Sequence, residues 1–297
     1  MTKKLVFIHG RAQQNKKPDA LKQEWIATWE EGLGYNKLDL PIPETDIRFP
    51  YYGDTLFQLA QGLDPALAAQ IVVKGDVALG AAEKAFMEAV LKEVAEKAGI
   101  TEEEIEEEIT AEVVEKGPLN WEWVQGILKV IDGKVPFGSS APIALFTRDV
   151  YLYLTNAALR EHINNGVRAA INADEPTVVV SHSLGTVVAY WLVREEAKAR
   201  NWQIPTFVTV GSPLGIKKIR QSLSPISALH GVGKWLNAYD EGDVVALFPL
   251  KAPHFDLSPF TIENKNDVQN KTDNQHGIAG YLNDPVVAKW IYDAVSS

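Results

Sequence analysis

In the stretch Val178-Val179-Val180-Ser181-His182-Ser183-Leu184-Gly185-Thr186 an apolar run leads directly into a helix-like segment, with no spacer between them. Consecutive apolar residues mark a strand covered on both faces, the kind found in parallel sheets. To pass from that strand into a helix within a few residues, the chain must bend sharply at Ser183. Such a bend strains the backbone and lifts the side chain above the sheet. The residues two before and two after must then be small, and Ser181 and Gly185 are. The chain is thereby committed to a layered α/β architecture that presents a serine hydroxyl at one edge of its sheet.

The flanking sequence repeats the alternation. Leu5 to Ile8 is a second apolar run, ending at Gly10. Leu21, Trp25 and Trp29 recur every four residues, which predicts a helix over Asp19 to Glu31 with Gly32 as its stop. Strands are predicted at Ile47 to Phe49, Thr177 to Val180, Pro205 to Val210 and Trp235 to Tyr239, and a helix over Leu184 to Arg200. Asp284 and Pro285 open a last helix with Val286, Val287, Trp290, Ile291 and Ala294 on one face. The pattern implies a mostly parallel central sheet with right-handed crossovers and helices on both faces. It breaks between about Thr55 and Val150, where helical periodicity, as in Ala78 to Ala98 and Thr101 to Lys116, replaces strands. Residues 1–54 and 151–297 are therefore expected to form the core, and residues 55–150 a helical insertion acting as a cap or lid.

Charge is concentrated in that insertion. The 297 residues carry 29 Lys and Arg against 39 Asp and Glu, a net charge of -10; Asp76 to Lys116 holds 13 acidic and 4 basic residues, a net of -9. Long-range repulsion from phosphate backbones and anionic headgroups disfavours nucleic acid and stable attachment to bilayers. Leu79, Ala82, Phe86, Val90, Leu91 and Val94 form an apolar stripe. The run Glu102 to Glu108 surrounds a narrower one of Ile105, Ile109 and Val113. It reads as a solvated helix face, or as a strip through which a protein partner docks. There is no cysteine, hence no disulfide and no thiolate chemistry. The apolar run after Lys3 and Lys4 is too short for a signal h-region or a membrane span, so a soluble, cytoplasmic protein without stable membrane insertion is expected.

A serine hydroxyl becomes a useful nucleophile only with a base in hydrogen-bond reach and a carboxylate to orient that base. His230, His254 and His276 follow Ser183. His276 lies in a polar loop before the final helix, and His254 beside Phe255 is the alternative. Asp240, Glu241 and Asp243 compete for the acid; Asp240 at a strand end also suits a turn cap. His9 and His182 read as loop supports, and His162 lies in a helix. Tyr51 and Tyr52 follow the second strand at its carboxyl end, where open α/β sheets bind ligands. Gly211 to Gly215 lacks the lysine and hydroxyl ending of a P-loop. No His-Glu-x-x-His, EF-hand or dinucleotide fingerprint occurs, so no cofactor is implied.

Through Ser181 to Gly185, His9-Gly10-Arg11 and the Asn237 to Asp243 segment, the chain resembles the α/β-hydrolase superfamily. The likeness is to its lipase and serine-esterase branch, which includes proteins similar to GPI-inositol deacylases. It spans Leu5 to Pro50 and Tyr153 to the end, with Ser181 where that family has glycine and Val244 where it has proline. The resemblance implies Ser183 as nucleophile, then the acid, then the base in chain order, which selects His276 over His254 and Asp243 over Asp240. It implies the amides of Arg11 and Leu184 as oxyanion donors, Gly10 as the turn that admits substrate, and a pocket lined by Tyr51 or Tyr52. The expected activity is hydrolysis of a small-molecule or lipid carboxylic ester through an acyl-enzyme. The alternatives are a non-catalytic binding protein on the same fold, or amide, thioester or acyl-transfer chemistry with the same residues.

Overall fold

The computed structural model describes residues 3–11, 13, 16–54, 79–109, 121–134, 140–272 and 274–297. Among the described residues six strands, β1 (Lys4–Ile8), β2 (Ile47–Arg48), β3 (Thr177–His182), β4 (Ile204–Val210), β5 (Val232–Ala238) and β6 (Ile262–Lys265), form one sheet in the order β2-β1-β3-β4-β5-β6. All five pairings are parallel, with Ser181 opposite Ile8 on one side and Thr209 on the other. β6, whose residues Ile262-Glu263-Asn264-Lys265 carry no apolar run, escapes the sequence reading; as an edge strand it needs only one paired side. The chain first moves outward from β1 to β2 and then crosses back to β3. This reversal leaves a crevice beyond the carboxyl ends of β1 and β3, the usual ligand position in open α/β sheets.

Among the described residues the α-helices are α1 (Pro18–Tyr35), α2 (Ala81–Lys97), α3 (Glu102–Glu107), α4 (Trp121–Lys134), α5 (Ser140–Thr155), α6 (Ala157–Ala169), α7 (Leu184–Arg200), α8 (Lys217–Ser222), α9 (Ile278–Leu282) and α10 (Pro285–Ser296). Alternate strand residues feed two apolar layers. Leu5, Phe7, Val178 and Val180 pack with Trp25 and Trp29 of α1, Tyr281 of α9 and Ile291 of α10. Val6, Ile8, Val179 and Phe207 pack on the opposite layer, with Val187 and Tyr190 of α7, Ile163 of α6 and residues of α2, α4 and α5. Coverage on both sides is the reason β1 and β3 read as unbroken apolar runs. A parallel six-stranded sheet with helices on both faces is an α/β-hydrolase-like fold.

Two local expectations change. α1 does not stop at Gly32 but continues to Tyr35. A Cβ on Gly32 would fall 2.6 Å from the Leu282 carbonyl oxygen and 2.7 Å from Ala288 Cβ, so this glycine permits close approach of α9 and α10 and is not a stop. Trp29 Nε1 donates to the Ala288 carbonyl across the same contact, at 3.0 Å. The helix that opens the acidic stretch with a Thr101–Glu104 capping box ends at Glu107 as the six-residue α3; residues 110–120, with Val113 of the expected stripe, lie outside the described residues, as do 55–78. Lys92, Lys129 and Lys134 pair with Glu102, Glu108 and Glu104, so part of the negative charge is balanced within the chain. Of the first stripe, Ala82 is exposed, whereas Leu79, Phe86, Val90, Leu91 and Val94 are buried in the same cluster as α7. Among the described residues no helix is long and apolar enough to cross a membrane.

Candidate active site

Ser183 sits at the junction of β3 and α7 with φ 57° and ψ -130°, a conformation that side chains rarely adopt. The bend is held by three hydrogen bonds. The Ser183 N–H donates to the Val210 carbonyl at 3.2 Å, and the Ser183 carbonyl accepts from the Thr186 N–H and hydroxyl at 2.9 and 2.8 Å. The small neighbours have steric causes. A Cβ on Gly185 would lie 2.5 Å from the Ile8 carbonyl oxygen and 2.6 Å from that of His9, and one on Gly10 would lie 2.8 Å from Ser183 Cβ. Ser181 is tolerated because its side chain turns within the sheet, its hydroxyl donating to the Val208 carbonyl at 3.3 Å.

His276 comes from the loop after β6 and Asp243 from the loop after β5, so all three side chains follow carboxyl ends of parallel strands. Ser183 Oγ donates to His276 Nε2 at 2.7 Å, and His276 Nδ1 donates to Asp243 Oδ2, also at 2.7 Å. Ser183 is 2% exposed and Asp243 1%. The buried carboxylate accepts, on Oδ1, the N–H groups of Val245 and Ala246 at 2.8 and 3.3 Å, and on Oδ2 the Tyr281 hydroxyl at 2.5 Å. Burial opposes its charge, but His276, Tyr281 and the Val245 amide together outweigh that and hold Asp243 below the ordinary aspartate value. Asp243 is therefore a permanent anion behind the imidazole. This buried Ser-His-Asp arrangement is consistent with a serine-hydrolase mechanism.

Asp240 has a different place. Its two oxygens accept the N–H groups of Gly242 and Asn270, each at 2.7 Å. Asn270 Nδ2 in turn donates to the Gly277 carbonyl at 2.8 Å, so Asp240 anchors the loop that carries His276. His254 lies in a groove between α2 and α8, stacked on Phe248 with ring centres 4.1 Å apart, and not on Phe255. His230 and His162 are exposed.

The two remaining histidines are braces. His9 Nδ1 donates to the Gly10 carbonyl at 2.6 Å while its Nε2 accepts the Tyr52 N–H at 3.1 Å, which uses both ring nitrogens of the neutral form. Burial pushes its pKa down to about 4. His182 Nε2 donates to the backbone carbonyl of His276 at 2.8 Å, and burial reinforced by the His276 ring lowers its pKa to about 3. Tyr52 is buried, stacked on His9, with its hydroxyl donating to the His9 carbonyl. Tyr51 is half-buried, and its hydroxyl bonds the Gln13 carbonyl and Asp54. Gly211, with φ +57°, lies close against the His276 and Tyr281 rings.

The Leu184 N–H belongs to the first turn of α7, where no intrahelical acceptor exists, and Arg11 follows the glycine packed on Ser183. The Arg11 side chain pairs with Asp149 of α5 at 2.7 Å. α5 also brings Phe146 edge-on to His276, ring centres 6.5 Å apart. Tyr281, Asn270, Phe146 and Asp149 carried no sequence signal, because each acts through contacts with residues far along the chain or across a loop. Among the described residues no group of three His, Asp or Glu side chains could hold a metal ion. No protein-family model, curated protein or solved structure matches the chain.

Proposed function

We propose that the protein is a serine hydrolase of carboxylic esters, acting through an acyl-enzyme. The observation that carries this reading is the continuous hydrogen-bonded line from Ser183 Oγ through the His276 ring to Asp243 Oδ2. In the reaction His276 Nε2 takes the proton of Ser183 as its oxygen attacks the acyl carbon, and Asp243 stabilises the imidazolium. The N–H groups of Leu184 and Arg11 receive the oxyanion, each such donor being worth about 3–4 kcal/mol where measured in related chemistry. His276 then protonates the leaving alcohol, and water, activated by the same ring, releases the acid. Gly10 keeps the approach to Ser183 free of a side chain; Tyr52, through His9, and Tyr51, through Gln13, brace the loop against which substrate lies.

Residues 1–54 and 151–297 serve in this reading as the catalytic core, and residues 55–150 as a cap. Support comes from α5, which reaches the site with Phe146 and Asp149, and from the near-complete burial of Ser183.

The test is active-site labelling. A fluorophosphonate probe should modify the wild type on Ser183 and spare Ser183→Ala, and 4-nitrophenyl esters of increasing chain length should be hydrolysed by the wild type alone. Folded wild-type protein that neither labels nor turns over these esters would return the fold to a binding role. Faster cleavage of matched thioesters or anilides would move the chemistry to those acyl compounds.

A further inference from the structure

We propose that Tyr281 is a positioning residue of the triad, holding Asp243 as an anion in the orientation from which it accepts the His276 Nδ1 proton. This rests on the reading of Ser183, His276 and Asp243 as a working triad.

The direction of the tyrosine's hydrogen bond follows from its surroundings. Tyr281 is fully buried in α9. Its oxygen accepts the Asp240 N–H at 3.3 Å, so its single proton is left for Asp243 Oδ2, 2.5 Å away. Asp243 then has four donors: the Val245 and Ala246 amides on Oδ1, Tyr281 and His276 on Oδ2. An ionised carboxylate offers about four acceptor positions, so the group is saturated and cannot rotate without losing bonds. Burial, and the negative Asp243 beside it, also raise the tyrosine's own pKa well above the ordinary value, so it stays a donor. Tyr281 lies in the short helix that follows the His276 loop, and one segment therefore delivers both donors to Oδ2.

The charge argument sets the sign. The titratable groups facing Tyr281 are Asp243 and Asp240 from the loop after β5, His182 from β3, its ring centre 5.9 Å away, and His276, which shares Asp243 Oδ2 with the tyrosine. Tyr281 draws on part of the Asp243 charge. Without its hydroxyl, more of that charge falls on the imidazole and favours its protonated form. The acid limb of the pH–rate profile then moves to higher pH. A merely structural tyrosine would change thermal stability and leave that limb in place.

The experiment is the pH dependence of kcat/KM for 4-nitrophenyl acetate in unlabelled wild type and Tyr281→Phe, with fluorophosphonate labelling of a separate wild-type sample as the control for the triad. The expected result is an upward move of the acid limb by about one pH unit, equivalent to about 1.4 kcal/mol. Site-specific 3-fluorotyrosine at position 281 keeps the shape, strengthens the donor and moves the limb the other way; it also decides the matter should the phenylalanine variant not fold. If the wild-type sample labels but both limbs of the Tyr281 variants coincide with those of the wild type, the role of Tyr281 alone is overturned. A wild type that does not label overturns the triad reading and this inference with it.

Discussion

Ser183→Gly should be more stable than Ser183→Ala, while both abolish activity. The residue is held at φ 57° and ψ -130°, where a side chain costs about 1–3 kcal/mol and glycine almost nothing. Ser183→Ala is the reference. It loses the same hydroxyl bond to His276 but keeps the Cβ and hence the strain. No helix cap is lost in either variant, because the Ser183 side chain makes no capping hydrogen bond. Glycine gives back about 0.5–1 kcal/mol through the greater freedom of its unfolded chain. The net expectation is that Ser183→Gly is about 1–2 kcal/mol more stable than Ser183→Ala, a rise of about 2–4 °C in Tm for a chain of this order of size. Urea and thermal unfolding of the two variants read the difference directly. A glycine variant no more stable than the alanine variant would refute the claim that the fold stores strain at this serine.

The two buried histidines make stability depend on pH. His9 and His182 have folded pKa values of about 4 and about 3 against 6.5 unfolded, so below 6.5 the unfolded chain binds more protons and stability falls as pH falls. Between about pH 6.5 and about pH 5 each ring should remove about 2 kcal/mol, and His9→Asn or His182→Asn should each flatten the urea-measured slope by about that amount. Asp243→Asn should lower kcat by about 10⁴ with the fold retained, as expected for loss of a triad acid. Asp240→Asn should instead loosen the His276 loop, costing about 1–2 kcal/mol of stability and less than about tenfold in kcat; the reverse ranking in esterase assays would exchange the two roles. Gly185→Ala should destabilise by about 2–4 kcal/mol or prevent soluble expression, since its Cβ would lie 2.5 Å from a β1 carbonyl oxygen that the sheet holds in place. Chemical denaturation of purified protein measures it.

Most strands and the bend at Ser183 were legible because they obey local rules. Val178 to Val180 and Leu5 to Ile8 are apolar throughout since both sides of their strands are covered, and Ser181 and Gly185 are small since backbone passes close by. Asp284 and Pro285 announce α10 through capping chemistry that needs only adjacent residues; Asp284 does accept from the Val286 and Val287 N–H groups, at 2.9 and 3.0 Å. Gly32 was misread for the complementary reason. A glycine that ends a helix and one that lets another helix approach look alike in sequence, and only the position of Leu282 and Ala288 tells them apart. β6 was missed because an edge strand with one paired side needs no apolar run.

For the candidate site the division is the same. Local pattern determined that a serine would be raised on a strained turn at the edge of a parallel sheet, because sterics within a few residues decide it. Which carboxylate stands behind His276 could not be decided that way. Asp240 and Asp243 are three residues apart and chemically equivalent until the chain closes. Tertiary packing gave Asp240 the amides of Gly242 and Asn270, and brought to Asp243 the His276 ring and the Tyr281 hydroxyl from more than thirty positions downstream. A carboxylate's partners are set by where distant segments come to rest, and only the folded sheet, holding its carboxyl ends side by side, makes that choice.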